Sequence, residues 1–235
     1  YEEHPARYSA DCKRRHRWMR GDWQLLPWLL SWTPKSEGGS ERNRLSALAR
    51  WKILDNLRRS LEPAAFLAML LWGWFAVDQA LLWTLMVLAL VLAQPLLAAL
   101  LELLRKPHDI PLDQHLLVTL RAALLHFSRA LLSLVWLPFE ALISLDAIGR
   151  SLWRMLISQK RLLQWNPSRE VERSSGNDLP GLYRLMWVAP LTALVCAALL
   201  LATPLVLAVA SPLLLLWLSG PAIAWRLSRS VARQA

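Results

Sequence analysis

The chain has 235 residues, 55% of them hydrophobic and 14 of them Trp, with 27 Lys and Arg against 17 Asp and Glu for a formal net charge of +10. Its mean hydropathy is +0.30, and its apolar residues collect in long blocks with Lys and Arg between them. That pattern excludes a soluble globular domain and is how an integral membrane protein is written. The arginines flank apolar blocks and form no basic face on a separate core, so nucleic acid is excluded and anionic lipid headgroups are expected partners.

In chain order, residues 1–43 are polar, basic and Trp-rich, with a short helix expected at 9–18. Leu25, Leu26, Pro27, Trp28, Leu29 and Leu30 make an apolar patch too short to cross a bilayer, and Pro34 to Ser40 reads as a turn-forming loop. Over 44–61 the oily residues Leu48, Trp51, Leu54, Leu57 and Leu61 recur every three or four positions, the period of a helix lying on a membrane surface. Glu62 and Pro63 then open an apolar run through Val77, Asp78 and Gln79 break it, and a second run covers 80–104. The two are expected as a transmembrane hairpin, the first run near the lower end of the roughly 17–25 residues a spanning helix needs. Pro95 removes a backbone donor and is expected to kink the second helix.

Residues 105–184 read as cytosolic or interfacial helices and a loop. Leu116, Leu117, Leu120, Leu124, Phe127 and Leu131 mark an apolar face over 113–145, interrupted by Arg121, His126 and Arg129. Charges at mid-membrane depth are costly, and both flanks are basic, with Arg105 and Lys106 before and Arg150, Arg154, Lys160 and Arg161 after. In-plane helices are therefore expected over 113–145, the alternative being a re-entrant hairpin around Pro138. Residues 151–165 continue as a basic amphipathic helix, and 166–180 are a polar loop. The apolar stretch 185–225 is too long for one helix and turns naturally at Thr203 and Pro204. Arg226, Arg229 and Arg233 close it, leaving 226–235 as a linker. The expected fold is mainly α, an integral membrane helical bundle of about four crossings as two hairpins, with interfacial amphipathic helices and both ends cytosolic.

Cys12 lies in a basic segment and Cys196 in an apolar run, so no disulfide is expected between them. His4, His16, His108, His115 and His126 show no metal-ligand spacing. The chain opens at Tyr1 on a charged segment with no signal peptide before it, which reads as part of a larger protein.

Chemistry concentrates in Arg14-Arg15-His16-Arg17-Trp18-Met19-Arg20-Gly21-Asp22-Trp23-Gln24. A guanidinium offers paired donors that match phosphate oxygens and keeps its charge. An indole offers a flat apolar face for a sugar ring and a polar edge for a hydroxyl. Arg14 and Arg17 are thus candidates to hold the diphosphate of a nucleotide-sugar, and Trp18 to hold the acceptor. Asp22, Trp23 and Gln24 are candidates to support them. The plainer reading of such a cluster is a lipid-headgroup anchor.

Arg14-Arg15-His16-Arg17-Trp18 resembles the Gln-x-x-Arg-Trp signature of processive membrane glycosyltransferases. The fuller run from Tyr1-Glu2-Glu3-His4-Pro5 to Gln24 is similar to bacterial cyclic β-1,2-glucan synthases. So are the run Leu48-Ala49-Arg50-Trp51-Lys52-Ile53-Leu54-Asp55-Asn56-Leu57-Arg58-Arg59-Ser60-Leu61 and the run from Ser144-Leu145-Asp146 to Trp165. The resemblance implies an inner-membrane enzyme that polymerises glucose from UDP-glucose onto a growing, later cyclised, glucan chain. It implies a glycosyltransferase core upstream, which residues 1–43 would complete, and a phosphorylase-like domain downstream. It also implies Mg2+ or Mn2+ with ligands outside this chain. Position 14 carries Arg where the wider signature has Gln. No Asp-x-Asp is present in the sequence, and the catalytic base is expected upstream, so Glu2 and Glu3 read as surface acids. A non-catalytic anchor or glycan-translocation segment is the main alternative, and a secondary transporter a weaker one, since the crossings carry little polar beyond Gln94.

Overall fold

A computed structural model describes residues 8–34, 39–106, 109, 111–158 and 178–232. Expectations placed on Tyr1 to Pro5, on the middle of the 34–40 loop, on His108, Lys160, Arg161, Gln164 and Trp165, on loop 166–177 and on Arg233 lie outside the described residues.

Helix α1 spans Tyr8–Gln24 and runs past the expected 9–18, so the whole Arg14-to-Gln24 run is helical. A 3-10 turn at Leu26–Leu29 follows, with Pro27 in its first turn, where a missing N–H costs nothing. Trp32–Pro34 and Ser40–Arg42 pair antiparallel as β1 and β2, with Thr33 opposite Glu41. Helix α2 is Ala47–Phe75, α3 Ala80–Leu104, α4 Leu112–Val135 and α5 Leu137–Trp153, the last continuing as one wider π turn at Arg154–Ser158. Helices α6 (Leu179–Leu185), α7 (Val188–Leu200) and α8 (Pro204–Ala232) complete the chain.

Two compact units result, one from Tyr1–Ala65, Pro138–Val188 and Pro221–Ala235, the other from Phe66–Leu137 and Ala189–Gly220. Pro63, Pro138, Pro190 and Pro221 each fall within three residues of a point where the chain passes from one unit to the other.

Phe66–Leu137 and Ala189–Gly220 form the apolar unit. Its core gathers Leu70, Trp74, Val87, Leu134, Leu200, Leu213, Leu214 and Trp217, while Leu82, Leu97, Val118, Leu199 and Leu215 remain exposed. Such a surface belongs in lipid. Tryptophan N–H groups tie the helices together here. Trp83 Nε1 donates to the Met69 carbonyl at 2.6 Å, Trp217 Nε1 to the Leu134 carbonyl at 3.0 Å and Trp136 Nε1 to the Gly220 carbonyl at 3.0 Å. Leu134 lies in the last turn of α4, where carbonyls lack regular helical partners, and the indole adds a donor from α8 to the Trp136 N–H that also reaches this carbonyl. Trp74 Nε1 donates to Thr84 Oγ1 at 3.0 Å, and that hydroxyl donates to the Ala80 carbonyl at 2.7 Å. Gly73 lets the Trp83 indole lie against its backbone, where any Cβ would overlap the ring.

Three described helices are long and apolar enough to cross a membrane, namely α3 (hydropathy 2.3), α4 (1.4) and Pro204–Arg229 of α8 (1.9). The bent pair α6 and α7, with 67° between them, makes a fourth if taken as one span. The chain is a mainly α membrane helical bundle.

Two expectations about individual segments change. The break at Glu62 and Pro63 is absent, because α2 is one helix through residue 75. Proline's fixed φ is helical, its one lost donor is tolerated, and Ala64 and Ala65 favour the helix. The last eighteen residues of α2 keep Arg58, Arg59 and Glu62, and α2 is not among the described helices that meet the length and composition of a span. Conversely, α4 qualifies by length and composition where in-plane helices were expected. Its arginines, Arg121 and Arg129, do not outweigh its leucines. The turns at Asp78–Gln79 and at Thr203 fall where the polar break and the Thr-Pro pair predicted them.

Replacing Trp217 with Phe removes the inter-helix donor to the Leu134 carbonyl, which keeps only the N–H of Trp136. We expect a loss of about 1–3 kcal/mol, read as a lower thermal midpoint in detergent. Trp72→Phe, at an exposed position, is expected to change stability by less than about 0.5 kcal/mol.

Candidate functional site

The unit made of Tyr1–Ala65, Pro138–Val188 and Pro221–Ala235 is where the polar chemistry lies. Helical spacing sorts the residues of α1 onto two faces. Tyr8, Cys12, Arg15, Met19 and Trp23, with His16 and Arg20 beside them, face the elements packed against α1. Asp11, Arg14, Trp18 and Gly21 stand on the other side.

The packing face is held by charge. Arg15 grips Glu140 of α5 with both arms, Nη1 to Oε2 at 2.6 Å and Nη2 to Oε1 at 2.6 Å, and Tyr8 donates its hydroxyl to Glu140 Oε1 at 2.7 Å. The Arg15 guanidinium lies 6.0 Å from the centre of the Tyr8 ring. Its Nε is 2.9 Å from Asp11 Oδ2 but out of line for a hydrogen bond. Burial disfavours the Arg15 charge, yet the bonds and charge of Glu140 outweigh it and hold the guanidinium's pKa above its ordinary value. Burial, then the Glu140 charge, raises the Tyr8 pKa. The same causes push the buried Cys12 thiol up to about 12.

Further along, His16 Nε2 lies 2.8 Å from Asp146 Oδ2, and Arg150 Nε donates to both oxygens of Asp146 at 2.7 Å. Burial tends to raise the Asp146 pKa, but Arg150 and His16 overcome it and set it below the usual carboxylate value. Ser144 Oγ donates to Met19 Sδ at 3.5 Å and Ser151 Oγ to the Arg20 carbonyl at 2.9 Å. Trp23 Nε1 donates to Ser60 Oγ of α2 at 2.8 Å, and Asp22 hydrogen-bonds Asn56. Burial raises the Asp22 pKa and Asn56 opposes it.

On the opposite face, Arg14 Nη2 donates to Asp11 Oδ1 at 2.7 Å, and the Arg14 guanidinium sits 4.8 Å from the centre of the Trp18 ring. Trp18 is 54% exposed, so one indole face meets the cation while much of the ring meets solvent. Arg17, one residue before Trp18, is half-buried. The structure therefore brings Arg14 and Trp18 together as a stacked unit. Asp22 and Trp23 turn away from the arginines of the motif and fasten α1 to α2, and Gln24 ends the helix.

Sequence reasoning passed over Arg15, Tyr8 and Glu140. The available signal was Glu140 itself, one acid within the apolar run Leu131 to Leu145, which needs a cation to be kept there. The three runs singled out by resemblance meet on α1, through Asn56 and Ser60 from the second and Ser144, Asp146 and Ser151 from the third.

Such an arrangement is a membrane helical bundle with a basic unit whose leading helix stacks a largely buried Arg14 against a half-exposed Trp18. Over 97% of its length the chain is 36% identical to the cyclic β-(1,2)-glucan synthase NdvB of Rhizobium meliloti (strain 1021), and it spans 8% of that protein. The chain is a homologue of a segment of that synthase, so the resemblance read from three short runs extends through the apolar helices as well. No protein-family model matches it.

Two outcomes follow from the Glu140 network. Glu140→Gln leaves Arg15 without its counter-charge, and we expect a loss of about 2 kcal/mol in a thermal or denaturant melt. That is below the roughly 3–5 kcal/mol of a fully buried pair, because the Arg15 side chain keeps 35% of its exposure. Cys12 is expected to resist a water-soluble maleimide at pH 8 until the protein is denatured. Because its folded pKa is raised, the stability from the neutral thiol is complete below pH 9 and is lost as the pH rises through about 12.

Proposed function

We propose that this chain is the membrane platform and acceptor-side segment of a glucan synthase. In that reading the enzyme transfers glucose from UDP-glucose to a growing β-1,2-glucan, which is later cyclised. The observation that carries it is the exposed Trp18 ring backed by the largely buried Arg14 guanidinium, on a helix where the three synthase-like runs converge. The relative's activity supports the same reaction class.

In each cycle the bond from the donor glucose to its diphosphate breaks as the acceptor hydroxyl attacks. Arg14 and Arg17 hold the departing diphosphate. Arg14 spends one nitrogen on Asp11 and keeps further donors for phosphate oxygens. The exposed face of Trp18 stacks the acceptor sugar, and the cation behind the ring orients it. Arg15 and Glu140 fix the rotation of α1 so that this face stays outward. Deprotonation of the acceptor falls to a base in the upstream core of the same protein, and a phosphorylase-like domain follows downstream. The Mg2+ or Mn2+ of the whole enzyme would be held by ligands outside this chain. In this reading the segment belongs to a bacterial inner membrane with both ends cytosolic, and the long apolar helices support its membrane part.

Charge-assisted hydrogen bonds of this kind contribute roughly 1.5–3 kcal/mol each, so Arg17→Lys is expected to slow turnover about tenfold to a hundredfold. The test supplies labelled UDP-glucose to membranes carrying the intact parent protein, catalytic core included, comparing wild type with Arg17→Lys and Trp18→Ala at matched membrane insertion. Glucan made by wild type and lost in Trp18→Ala is the expected result. Equal synthesis in all three would reduce the motif to a headgroup anchor. No synthesis by wild type would favour a non-catalytic anchor or translocation segment.

A further inference from the structure

Arginines beyond the motif gather at the other end of α1. A cleft of ≈ 460 Å³ is lined by Asp146, Gly149, Arg150, Trp153 and Arg154. Arg20 of α1 does not line the cleft but lies near its arginines, its carbonyl held by Ser151 and its Nε buried without a hydrogen-bond partner. Burial first, then the charges of Arg154 and Arg150, lowers the pKa of Arg20. Like charges held this close raise one another's energy and favour a bound anion. Asp146 is the acid lining the cleft, and it is already engaged by Arg150 and His16.

Large apolar side chains border the same arginines. Trp153, Leu156 and Ile157 are all more than half exposed, Leu156 at 74%. Leu156 and Ile157 sit in the π turn Arg154–Ser158, a widened geometry that recurs at functional sites. A small soluble anion has no use for these three side chains. A lipid uses both halves, its phosphate among the guanidiniums and its chains along the Trp, Leu and Ile.

We propose that Arg20, Arg150 and Arg154, with Trp153, Leu156 and Ile157, form a binding site for an anionic phospholipid, separate from the Arg14–Trp18 face. It does not depend on the reaction proposed above, since its ligand is recognised by phosphate charge and an apolar border alone. The site anchors the end of α5 to the acidic leaflet, and with it the Asp146 contact to His16 of α1.

The test titrates the purified protein in detergent with dioctanoyl phosphatidylglycerol, dioctanoyl phosphatidylcholine and inorganic phosphate, counting bound lipid by native mass spectrometry. Phosphatidylglycerol is expected to bind more tightly than phosphatidylcholine, and inorganic phosphate to displace it only at far higher concentration. The double variant Arg150→Gln/Arg154→Gln is expected to weaken phosphatidylglycerol binding at least about tenfold, while Arg121→Gln/Arg129→Gln on α4 leaves it unchanged. Equal binding of the two lipids, or unchanged binding by the Arg150/Arg154 variant, would overturn the site. Inorganic phosphate binding as tightly as the lipid would overturn the lipid assignment in favour of a small-anion pocket. Thermal melts establish that each variant is folded, and the three-ligand comparison on wild type decides the matter if one is not.

Discussion

The rotation of α1 depends on one ion pair. An α-helix turns 100° per residue, so a helix seated one residue out of register would point Arg14 or His16 at Glu140 and carry Trp18 round toward α5. The two-armed bond from Arg15 to Glu140, with Tyr8 on the same carboxylate, specifies one rotation. A partly buried pair of this kind is a poor source of net stability, because desolvation offsets much of the attraction. Its value lies in specificity: the observed rotation also brings Tyr8 to Glu140, His16 to Asp146 and Trp23 to Ser60, and no other rotation makes these contacts together. Everything on the outward face, from Asp11 through Arg14 to Trp18, takes its position from that choice.

The apolar unit solves a different problem with different groups. Leucine against leucine does not distinguish one helix arrangement from another when lipid is equally apolar. Indole N–H groups do, since each must reach a carbonyl or hydroxyl. Trp83 finds Met69, Trp74 finds Thr84, and Trp217 finds Leu134 at the frayed end of α4. This explains why a chain so rich in leucine also carries so many tryptophans, and why Gly73 faces one of them. Charge fixes the packing where water is near, and indole donors fix it where water is absent.

Much of this was legible in the sequence. Hydropathy blocks, the polar break at Asp78 and the Thr203–Pro204 pair located both turns, because short polar or proline-containing interruptions in long apolar runs have few other uses. The Arg–Trp motif was legible as chemistry, and helical spacing put Arg14 and Trp18 on one face. What did not read through was the continuity of α2 past Pro63, since a proline that ends one helix is absorbed by another. Arg121 and Arg129 pointed to an in-plane helix, while the many leucines of α4 give it the length and composition of a span. The Arg15–Glu140 pair joins residues 125 positions apart. In α1 Arg15 looks like one more arginine among several, and only the fold selects it. For the same reason Asp22 passed for an arginine partner until its neighbour proved to be Asn56.

A two-faced α1, docked through Arg15 and open at Trp18, is tested most directly by photo-cross-linking during synthesis. A photoreactive amino acid is placed in turn at position 21 on the face of Trp18 and at 16 and 19 on the packed face, and labelled glucan is followed in membranes. Label captured from 21 but not from 16 and 19 is the predicted pattern. Capture from 16 and 19, or equal capture from all three positions, would contradict it.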